Sequence, residues 1–293
     1  MCAQPTNISD RTYVCNEAGL GAAIPRQEAS MELDFGDIRQ IEYEILLSVD
    51  RLASELDLRY FLDFGTLLGA RRHKGFIPWD DDIDIAMAPE TISRFLQVGT
   101  KLLPKHLITV RHTVFPPAIK VADTRYFIME RSKLELSGTH VTHPAIDIFP
   151  FAYYRRFSKY LPTKTTGRIA QKRPTARARA RILFKQDLPQ ALAFSAIAGI
   201  PPALLRSYAG MIEVPTGPNW NHERSHVFVG HALDMGTGIK NLPYSAVFPL
   251  RKLEFEGREF FAPRDTDSYL TSLYGDWRKP IEYPQHVLRG WSA

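Results

Sequence analysis

Two aspartates, Asp82 and Asp84, are the residues of this sequence best suited to chemistry. They lie in the run Asp82-Ile83-Asp84-Ile85, where charged and apolar residues alternate. Because successive side chains of a strand point to opposite faces, a strand here would bury both isoleucines and place both carboxylates on the other face. Neighbouring carboxylates repel each other unless a cation lies between them, and their hard oxygens favour Mg²⁺ or Mn²⁺. The pattern therefore predicts a metal site.

A small turn and a basic cluster precede these carboxylates. Gly65 and Thr66 would let backbone N–H groups approach phosphate oxygens. Arg72, His73 and Lys74 would neutralise phosphate charge, although a charged cluster of this kind is often only a solvated surface. Amides that bind phosphate, cations and a metal held by carboxylates are together the parts of a phosphoryl-transfer site.

The segment from Tyr60 to Ile85 resembles the signature of the LicD/fukutin family, which belongs to the nucleotidyltransferase-fold superfamily. The superfamily pattern is a Gly-Ser or Gly-Thr turn, an Asp-x-Asp strand and a third acidic residue on a later strand. Gly-Thr-Leu-Leu-Gly, Arg-His-Lys-Gly and Phe-Ile-Pro-Trp-Asp-Asp-Asp-Ile-Asp-Ile follow one another here and match more narrowly than that pattern. The resemblance covers about residues 36–152 and 244–280.

This resemblance implies roles for two more residues. Asp147, in Ala145-Ile146-Asp147-Ile148-Phe149-Pro150, resembles the third acidic position. It would complete the metal shell with Asp82 and Asp84 or deprotonate an acceptor hydroxyl. Lys120 lies in a segment that resembles a recurring family strand, and its point charge suits phosphate. An ion pair with Asp123 is the alternative for Lys120.

The implied activity is that of a Mg²⁺-dependent (or Mn²⁺-dependent) phosphotransferase. Such an enzyme would move phosphocholine or an alditol phosphate from a CDP-activated donor to a hydroxyl of a cell-surface glycan or glycolipid, as in lipopolysaccharide or teichoic acid biosynthesis. CMP would leave. Two alternatives stay open: a nucleotidyltransferase that adds NMP from an NTP to a small molecule, and a non-catalytic binding protein on the same fold. No recognised nucleic-acid motif supports a nucleic-acid partner.

Composition and charge are those of a globular protein with an anionic ligand. The chain has 293 residues, 44% of them hydrophobic, and a formal charge of +5, which suits a phosphorylated ligand or an anionic membrane surface. No secretory pattern is visible at the N-terminus. We therefore expect a cytoplasmic location, with peripheral contact at the cytoplasmic membrane face.

Hydrophobic spacing predicts α/β architecture, an α+β mixed sheet with helices packed on it. The family resemblance implies that this core is nucleotidyltransferase-like. The predicted elements include helices Phe35–Leu56, Thr66–Arg72, Glu90–Leu103 and Ser268–Tyr274, strands Tyr60–Asp63, Ile83–Met87, Leu107–His112, Ala118–Ala122, Tyr126–Glu130 and Ala145–Phe151, and a hairpin over Leu250–Phe260. Residues 1–33 are predicted to be an extended or loosely packed arm. Residues 34–293 would form the catalytic domain, with a basic and apolar helical insertion over 155–206.

Overall fold

The three-dimensional structure is a computed structural model, which describes residues 12–15, 31–112, 119–131, 139–155, 199, 227–231, 242–280 and 287–292. The strands are β1 (Thr12–Cys15), β2 (Glu32–Leu33), β3 (Tyr60–Leu62), β4 (Ile83–Met87), β5 (Leu107–His112), β6 (Ile119–Asp123), β7 (Tyr126–Arg131), β8 (Thr139–Thr142), β9 (Ala145–Arg155), β10 (Val227–His231), β11 (Leu242–Pro243), β12 (Arg251–Phe255), β13 (Arg258–Ala262) and β14 (Val287–Ser292). The helices are α1 (Phe35–Glu55), α2 (Phe64–His73), α3 (Pro89–Arg94), a π-helical segment (Phe95–Gly99), α4 (Thr100–Leu102), α5 (Tyr244–Val247) and α6 (Thr266–Tyr274).

The main sheet of the described residues is mixed and has eight strands. Six of them follow the order β1-β5-β6-β9-β10-β11, while β4 pairs with β9 in parallel and β3 pairs with β4 antiparallel. The long strand β9 lies at the centre and pairs with β4, β6 and β10. A second sheet has the order β2-β14-β7-β8. This mixed sheet with helices on it confirms the predicted α/β class.

Helix α1 forms for reasons that are visible in the sequence. Asp34 and Asp37 make a reciprocal capping box at its N-terminus. Its apolar stripe is buried against β4, β6 and β9, and includes Ile38, Ile41, Ile45, Leu46, Val49 and Leu52. Burial of an aliphatic side chain contributes about 2 kcal/mol, so this stripe is a large part of what holds the helix on the sheet.

Two predicted boundaries are corrected by the structure. Strand β3 ends at Leu62, and Asp63 is the N-cap of α2. Gly65 and Thr66 therefore lie in the first turn of a helix and not in a turn before it, because the Asp63 carboxylate accepts the first helical N–H, that of Phe64, at 2.8 Å. The single helix predicted over 90–103 is instead divided into α3, the π-helical segment and α4.

The C-terminal elements agree with the sequence pattern. Strands β12 and β13 form the predicted hairpin, and Glu256 and Gly257 at its tip have φ values of 49° and 73°. Positive φ at both central residues is the geometry of a tight hairpin turn. Helix α6 begins at Thr266, two residues before the predicted start, so its acidic N-cap is Asp265, and Asp267 lies in its first turn. Gly275 follows its last residue, as predicted.

Several predictions fall on other parts of the chain. The helical insertion over 155–206 lies almost entirely outside the described residues. Of the arm over 1–33, residues 12–15 pair with β5 and residues 32–33 pair with β14. Within the described part of the chain, no helix is both long enough and apolar enough to cross a membrane.

Candidate active site

Three charged side chains lie side by side across three neighbouring strands. Asp84 of β4 is in register with Asp147 of β9, and Asp147 is in register with Lys120 of β6. Adjacent strands are about 4.8 Å apart, and partners in register point to the same face. Each of the two aspartates is only 7% exposed, whereas Ile83 and Ile85, which alternate with Asp84, are fully buried. The predicted alternation of the carboxylate strand is therefore present.

The two oxygens of Asp147 have different environments. Oδ2 accepts a hydrogen bond from Lys120 Nζ at 3.0 Å. Oδ1 is buried and has no hydrogen-bond partner among the described residues. An ion pair of Lys120 with Asp123 does not form, because Asp123 Oδ2 is held by Arg125 Nη2 at 2.7 Å. Burying a carboxylate oxygen without a partner is costly, so Oδ1 is the atom on which a cation or a proton would be stabilised.

The start of helix α2 is fastened to the carboxylate strand. The Asp84 backbone N–H donates to Thr66 Oγ1 at 2.7 Å, and the Asp63 N–H donates to the Asp84 carbonyl at 3.0 Å. Asp63 is fully buried, and its Oδ1 also accepts the Tyr269 hydroxyl at 3.0 Å. The first turn of α2 and the strand that carries Asp84 therefore move as one unit.

Phe64, the first residue of α2, has a backbone conformation that is rare for a side chain of its size. Its φ is 38°, in the left-handed region. Its ring packs edge-on against Phe149, with ring centroids 5.1 Å apart. Strain of this kind persists only where the surroundings fix it, and it is concentrated at functional sites.

The carboxylates of Asp80 and Asp82 lie over the first turn of α2. A Cβ atom added to Gly65 would lie 2.5 Å from Asp80 Oδ2 and 4.0 Å from Asp82 Oδ1. An alanine here would therefore force the Asp80 carboxylate to shift. Asp80, Asp82, Asp84 and Asp147 are together called the acidic group below. Anionic groups are favoured at the N-terminus of a helix by its unpaired N–H groups and its dipole.

Arg39 of α1 fixes the loop that carries these aspartates. Its Nε donates to the Asp80 carbonyl at 2.9 Å and its Nη2 to the Ile77 carbonyl at 2.6 Å. The guanidinium also lies over the rings of Phe35 and Phe76. Burial lowers the pKa of Arg39 from its usual value, but arginine stays charged in proteins. Helix α1 thus contributes a cation to the scaffold of the acidic loop.

Two tyrosines of helix α6 face this group from the C-terminal part of the chain. Tyr269 is buried and packs edge-on against Phe61. Burial and the nearby Asp63 raise its pKa. Tyr274 is 45% exposed. Burial of its hydroxyl and the carboxylate of Asp84, with further aspartates, raise its pKa. Both hydroxyls therefore stay protonated and can act as donors.

The predicted phosphate-binding cations lie at the other end of α2. Lys74 Nζ pairs with Glu254 Oε2 at 2.9 Å, and Arg72 Nη1 donates to the Trp277 carbonyl at 3.2 Å. His73 lies beside Arg72, and burial and that guanidinium lower its pKa. At 1.5 Å per residue, these three are roughly 9–13 Å along the helix axis from Gly65 and Thr66. The structure therefore brings Gly65, Thr66, Asp82, Asp84, Asp147 and Lys120 together and places Arg72, His73 and Lys74 apart.

The acidic group fits a metal that is shared with a ligand. Among the described residues, no three His, Cys, Asp or Glu side chains form a ready-made metal cage. Mg²⁺ commonly takes only one or two carboxylates and completes its shell with water and substrate phosphates. The neighbouring Asp84 and Asp147, with the unpartnered oxygen of Asp147, suit that mode of binding.

Comparison with known proteins agrees with this architecture. Residues 57–182 match the family described as LicD/FKTN/FKRP, nucleotidyltransferase domain. Residues 57–182 therefore form a LicD-family domain, which confirms the family resemblance over residues 57–152. The match continues to residue 182, into the predicted insertion, and does not include residues 244–280.

Three curated relatives share short segments with this chain. Lipopolysaccharide cholinephosphotransferase LicD of Haemophilus influenzae is 53% identical over 55 residues, which is 19% of this chain and 21% of that protein. An uncharacterized protein of Rickettsia typhi is 39% identical over 56 residues, 19% of this chain and 18% of the relative. Another, of Rickettsia prowazekii, is 42% identical over 48 residues, 16% of this chain and 18% of the relative. Each match thus spans about a fifth of the relative's length.

The roles of two hydrogen-bonded residues at the site, Asp63 and Tyr269, were not recognised from the sequence. Asp63 was placed at the end of a strand, and Tyr269 was given no role. The signal for Asp63 is its position directly before a helix, where a short acidic side chain caps the first N–H groups. Tyr269 has no such local signal, because its partner Asp63 lies 206 positions away in the sequence.

Proposed function

We propose that this protein is a metal-dependent phosphotransferase that moves a substituted phosphate from a CDP-linked donor to a hydroxyl of a glycan or glycolipid. The observation that carries the proposal is the register of Asp84 with Asp147 beside the first turn of α2, with one buried Asp147 oxygen unpartnered. The LicD-family domain and the shared segment with a lipopolysaccharide cholinephosphotransferase support this class of reaction.

The proposed step is an in-line displacement at phosphorus. The acceptor oxygen attacks the phosphorus that carries the transferred group, the bond to that oxygen forms, and the bond from this phosphorus to CMP breaks. CMP leaves with the bridging oxygen. The acceptor proton passes to a carboxylate, for which Asp147 Oδ1 is the candidate because it is buried and unpartnered among the described residues. Lys120, 3.0 Å from Oδ2, would keep that carboxylate oriented.

Asp82 and Asp84 would hold Mg²⁺ or Mn²⁺ in this proposal, which leaves Asp147 to take the acceptor proton. The ion would neutralise charge on the donor diphosphate. The first turn of α2 offers its backbone N–H groups to phosphate oxygens, and Thr66 fixes that turn to the Asp84 backbone at 2.7 Å. Positioning and charge neutralisation would provide most of the rate, because phosphoryl transfer needs little other chemistry from the protein.

The donor also gives the proposal a cellular setting. CDP-linked donors are made in the cytosol, so the enzyme would act there, at the cytoplasmic face of the membrane where glycolipid acceptors are built. The net charge of +5 suits both an anionic donor and an anionic surface.

A donor panel tests the proposal. Purified protein with Mg²⁺ would be titrated by calorimetry with CDP-choline, CDP-ribitol, CDP-glycerol, CTP, ATP and GDP-mannose. We expect metal-dependent binding of one CDP-linked donor, at least tenfold weaker in Asp84→Asn. Asp57→Asn is the matched control, because Asp57 is exposed and its φ of 50° suits asparagine equally well. Tight binding of a bare NTP alone would favour a nucleotidyltransferase, and no binding by the folded protein would contradict the proposal.

A further inference from the structure

The helical stretch from α3 to α4 packs firmly on the core by one face. Ile92, Phe95 and Leu103 on this face are 9%, 0% and 4% exposed. Gly99 of the π-helical segment lies so close to α1 that an added Cβ would be 3.1 Å from Leu52 Cδ2. This packing fixes the orientation of the stretch, so the side chains on its opposite face are held in a defined position.

The opposite face of this stretch exposes two apolar residues one helical turn apart. Val98 is 42% exposed and Leu102 is 56% exposed. They are two of the four large apolar side chains that are exposed in the described part of the chain, the others being Met31 and Tyr274. Two exposed apolar side chains are common on a protein surface by themselves, so the charges around them decide what this face can bind.

Three cations surround these apolar side chains. Arg94, Lys101 and Lys105 are all exposed, and none of them makes an ion pair with another described residue. The sequence contains no aspartate or glutamate from residue 91 to residue 105. A solvated helix surface usually interleaves charges of both signs. The charged residues of this surface are therefore all positive.

We propose that Arg94, Val98, Lys101, Leu102 and Lys105, here called the outer face, dock the protein on an anionic lipid bilayer. Apolar side chains of an interfacial helix enter the boundary between head groups and acyl chains, while its basic residues contact anionic head groups. Four residues of the outer face lie on the stretch from α3 to α4, and Lys105 lies in the turn that follows it. With only two apolar side chains, the contact would be reversible and sensitive to salt.

The charge complementarity decides between a bilayer and a protein partner. An apolar interface between two copies of this chain would bring three cations of one copy against three of the other. That arrangement repels, because charged groups of like sign within an interface oppose association. An anionic bilayer places negative charge opposite all three cations at once. The outer face shares no residue with the acidic group. The proposed function also places the protein at a membrane face, but binding to a bilayer does not depend on the phosphotransferase chemistry.

Vesicle sedimentation of the full chain tests the proposal. The probe is large unilamellar vesicles of phosphatidylglycerol and phosphatidylcholine in equal parts, with pure phosphatidylcholine as the reference. We expect binding to the anionic vesicles alone, weakened by 0.5 M NaCl. The triple variant Arg94→Gln/Lys101→Gln/Lys105→Gln should bind at least tenfold more weakly, since each cation near an anionic surface contributes roughly a fivefold factor.

A matched triple variant controls for net charge. Arg59→Gln/Arg258→Gln/Arg264→Gln removes three other exposed cations and lowers the formal charge from +5 to +2 in the same way. It should bind nearly as well as the wild type. Equal weakening in both triples would overturn the proposal, because attraction would then depend on net charge alone.

The apolar part has its own test. Val98→Ser/Leu102→Ser should weaken vesicle binding severalfold even at 0.5 M NaCl, whereas Met31→Ser, at an equally exposed position, should not. Light scattering coupled to gel filtration provides a second readout for the same variants. A dimer in the wild type that dissociates in Val98→Ser/Leu102→Ser would overturn the proposal in favour of contact between copies.

Discussion

At the scale of the residue, the proposed chemistry of the site depends on the different environments of the two Asp147 carboxylate oxygens. Asp147 Oδ2 is 3.0 Å from Lys120 Nζ, while Oδ1 is buried without a partner among the described residues. A buried oxygen without a hydrogen-bond partner is unusual, because the great majority of buried polar atoms in folded proteins are hydrogen-bonded. Because Oδ1 lies next to Asp84, we expect its partner to be a ligand that binds at the site.

Gly65 permits a prediction at the same scale. Gly65→Ala places a Cβ 2.5 Å from Asp80 Oδ2, so the acidic loop must shift. We expect Mn²⁺ binding, measured by electron paramagnetic resonance, to weaken at least tenfold. The melting temperature should change little, because alanine is about 1 kcal/mol better than glycine in a helix and offsets part of the strain.

Gly36→Ala is the matched control for that experiment. Gly36 is also the second residue of a helix and also follows an Asp-Phe pair, and its added Cβ would lie 3.1 Å from Asp34 Oδ1. Apart from its chain neighbours and its own helix backbone, the only described atom within 4 Å of that Cβ is Asp34 Oδ1, and neither Asp80 nor Asp82 is that close, so Mn²⁺ binding should be unchanged. Equal binding by Gly65→Ala and the wild type would show that the first turn of α2 is not part of the site.

At the scale of the element, helix α6 holds the junction between β3 and α2. Tyr269→Phe removes the hydroxyl that donates to Asp63 Oδ1 at 3.0 Å and leaves a buried carboxylate with one partner fewer. We expect a loss of about 1–3 kcal/mol in the free energy of unfolding. Because Asp63 also binds the Asp84 carbonyl through its N–H, Mn²⁺ affinity should fall as well.

Tyr60→Phe separates the two effects. The Tyr60 hydroxyl donates to Asp50 Oδ1, which is another tyrosine–aspartate pair, and it involves helix α1 instead of α2. Urea unfolding should give a similar loss of stability for both variants. Mn²⁺ affinity should fall in Tyr269→Phe and stay at the wild-type value in Tyr60→Phe; the same affinity in both variants would assign Tyr269 a purely structural role.

The N-cap of α6 gives a prediction for pH. Asp265 accepts the Ser268 N–H at 3.0 Å. Hydrogen bonds from the Ser268 side chain and from its backbone N–H lower the pKa of Asp265 from its usual value. A carboxyl whose pKa is lower in the folded state stabilises that state fully above its unfolded pKa of about 3.9. The contribution is lost as pH falls through the folded pKa.

Asp265→Ala should therefore lower the free energy of unfolding by about 1 kcal/mol at pH 7. Urea unfolding from pH 7 to pH 2 should show the difference from wild type shrinking below about pH 4. A difference that stays constant over this range would mean that the charged cap does not stabilise α6.

At the scale of the whole molecule, the site draws on parts of the chain that lie far apart. Residues 57–182 match the family domain, yet Arg39 precedes this range and Tyr269 follows it. The hairpin turn adds a further link, since the Glu256 N–H donates to the Lys74 carbonyl and Glu256 Oε1 accepts the Phe76 N–H. The structural unit that supports the site is therefore larger than the matched domain.

The sequence predicted the parts of this unit that have a local pattern. The alternation around Asp84 and around Asp147 predicted two strands, and the structure places these aspartates in register. The apolar spacing of α1 gave its first residue correctly and its last within one position. Periodicity and turn chemistry act between neighbouring residues, which is why they can be recognised in a single sequence.

The parts that were not predicted depend on contacts between distant residues. Arg72, His73 and Lys74 are close to Gly65 in the sequence, but they lie at the opposite end of the ten-residue helix α2. Asp123 is the acidic residue nearest to Lys120 in the sequence. The antiparallel pairing of β6 with β9 places Lys120 next to Asp147 instead. Sheet register decides such pairs, and register is a property of the whole fold.

One measurement tests the central claim most directly, namely which product leaves the donor. The wild type and Asp84→Asn would be incubated with Mg²⁺, a sugar acceptor and the CDP-linked donor that binds most tightly, and the nucleotides would be separated by ion-exchange chromatography. The account predicts release of CMP by the wild type, with a loss of at least a hundredfold in Asp84→Asn, since removing one group that stabilises transition-state charge costs about that much. Release at the same rate by Asp84→Asn, or release of pyrophosphate from CTP with no CMP formed from any CDP-linked donor, would contradict it.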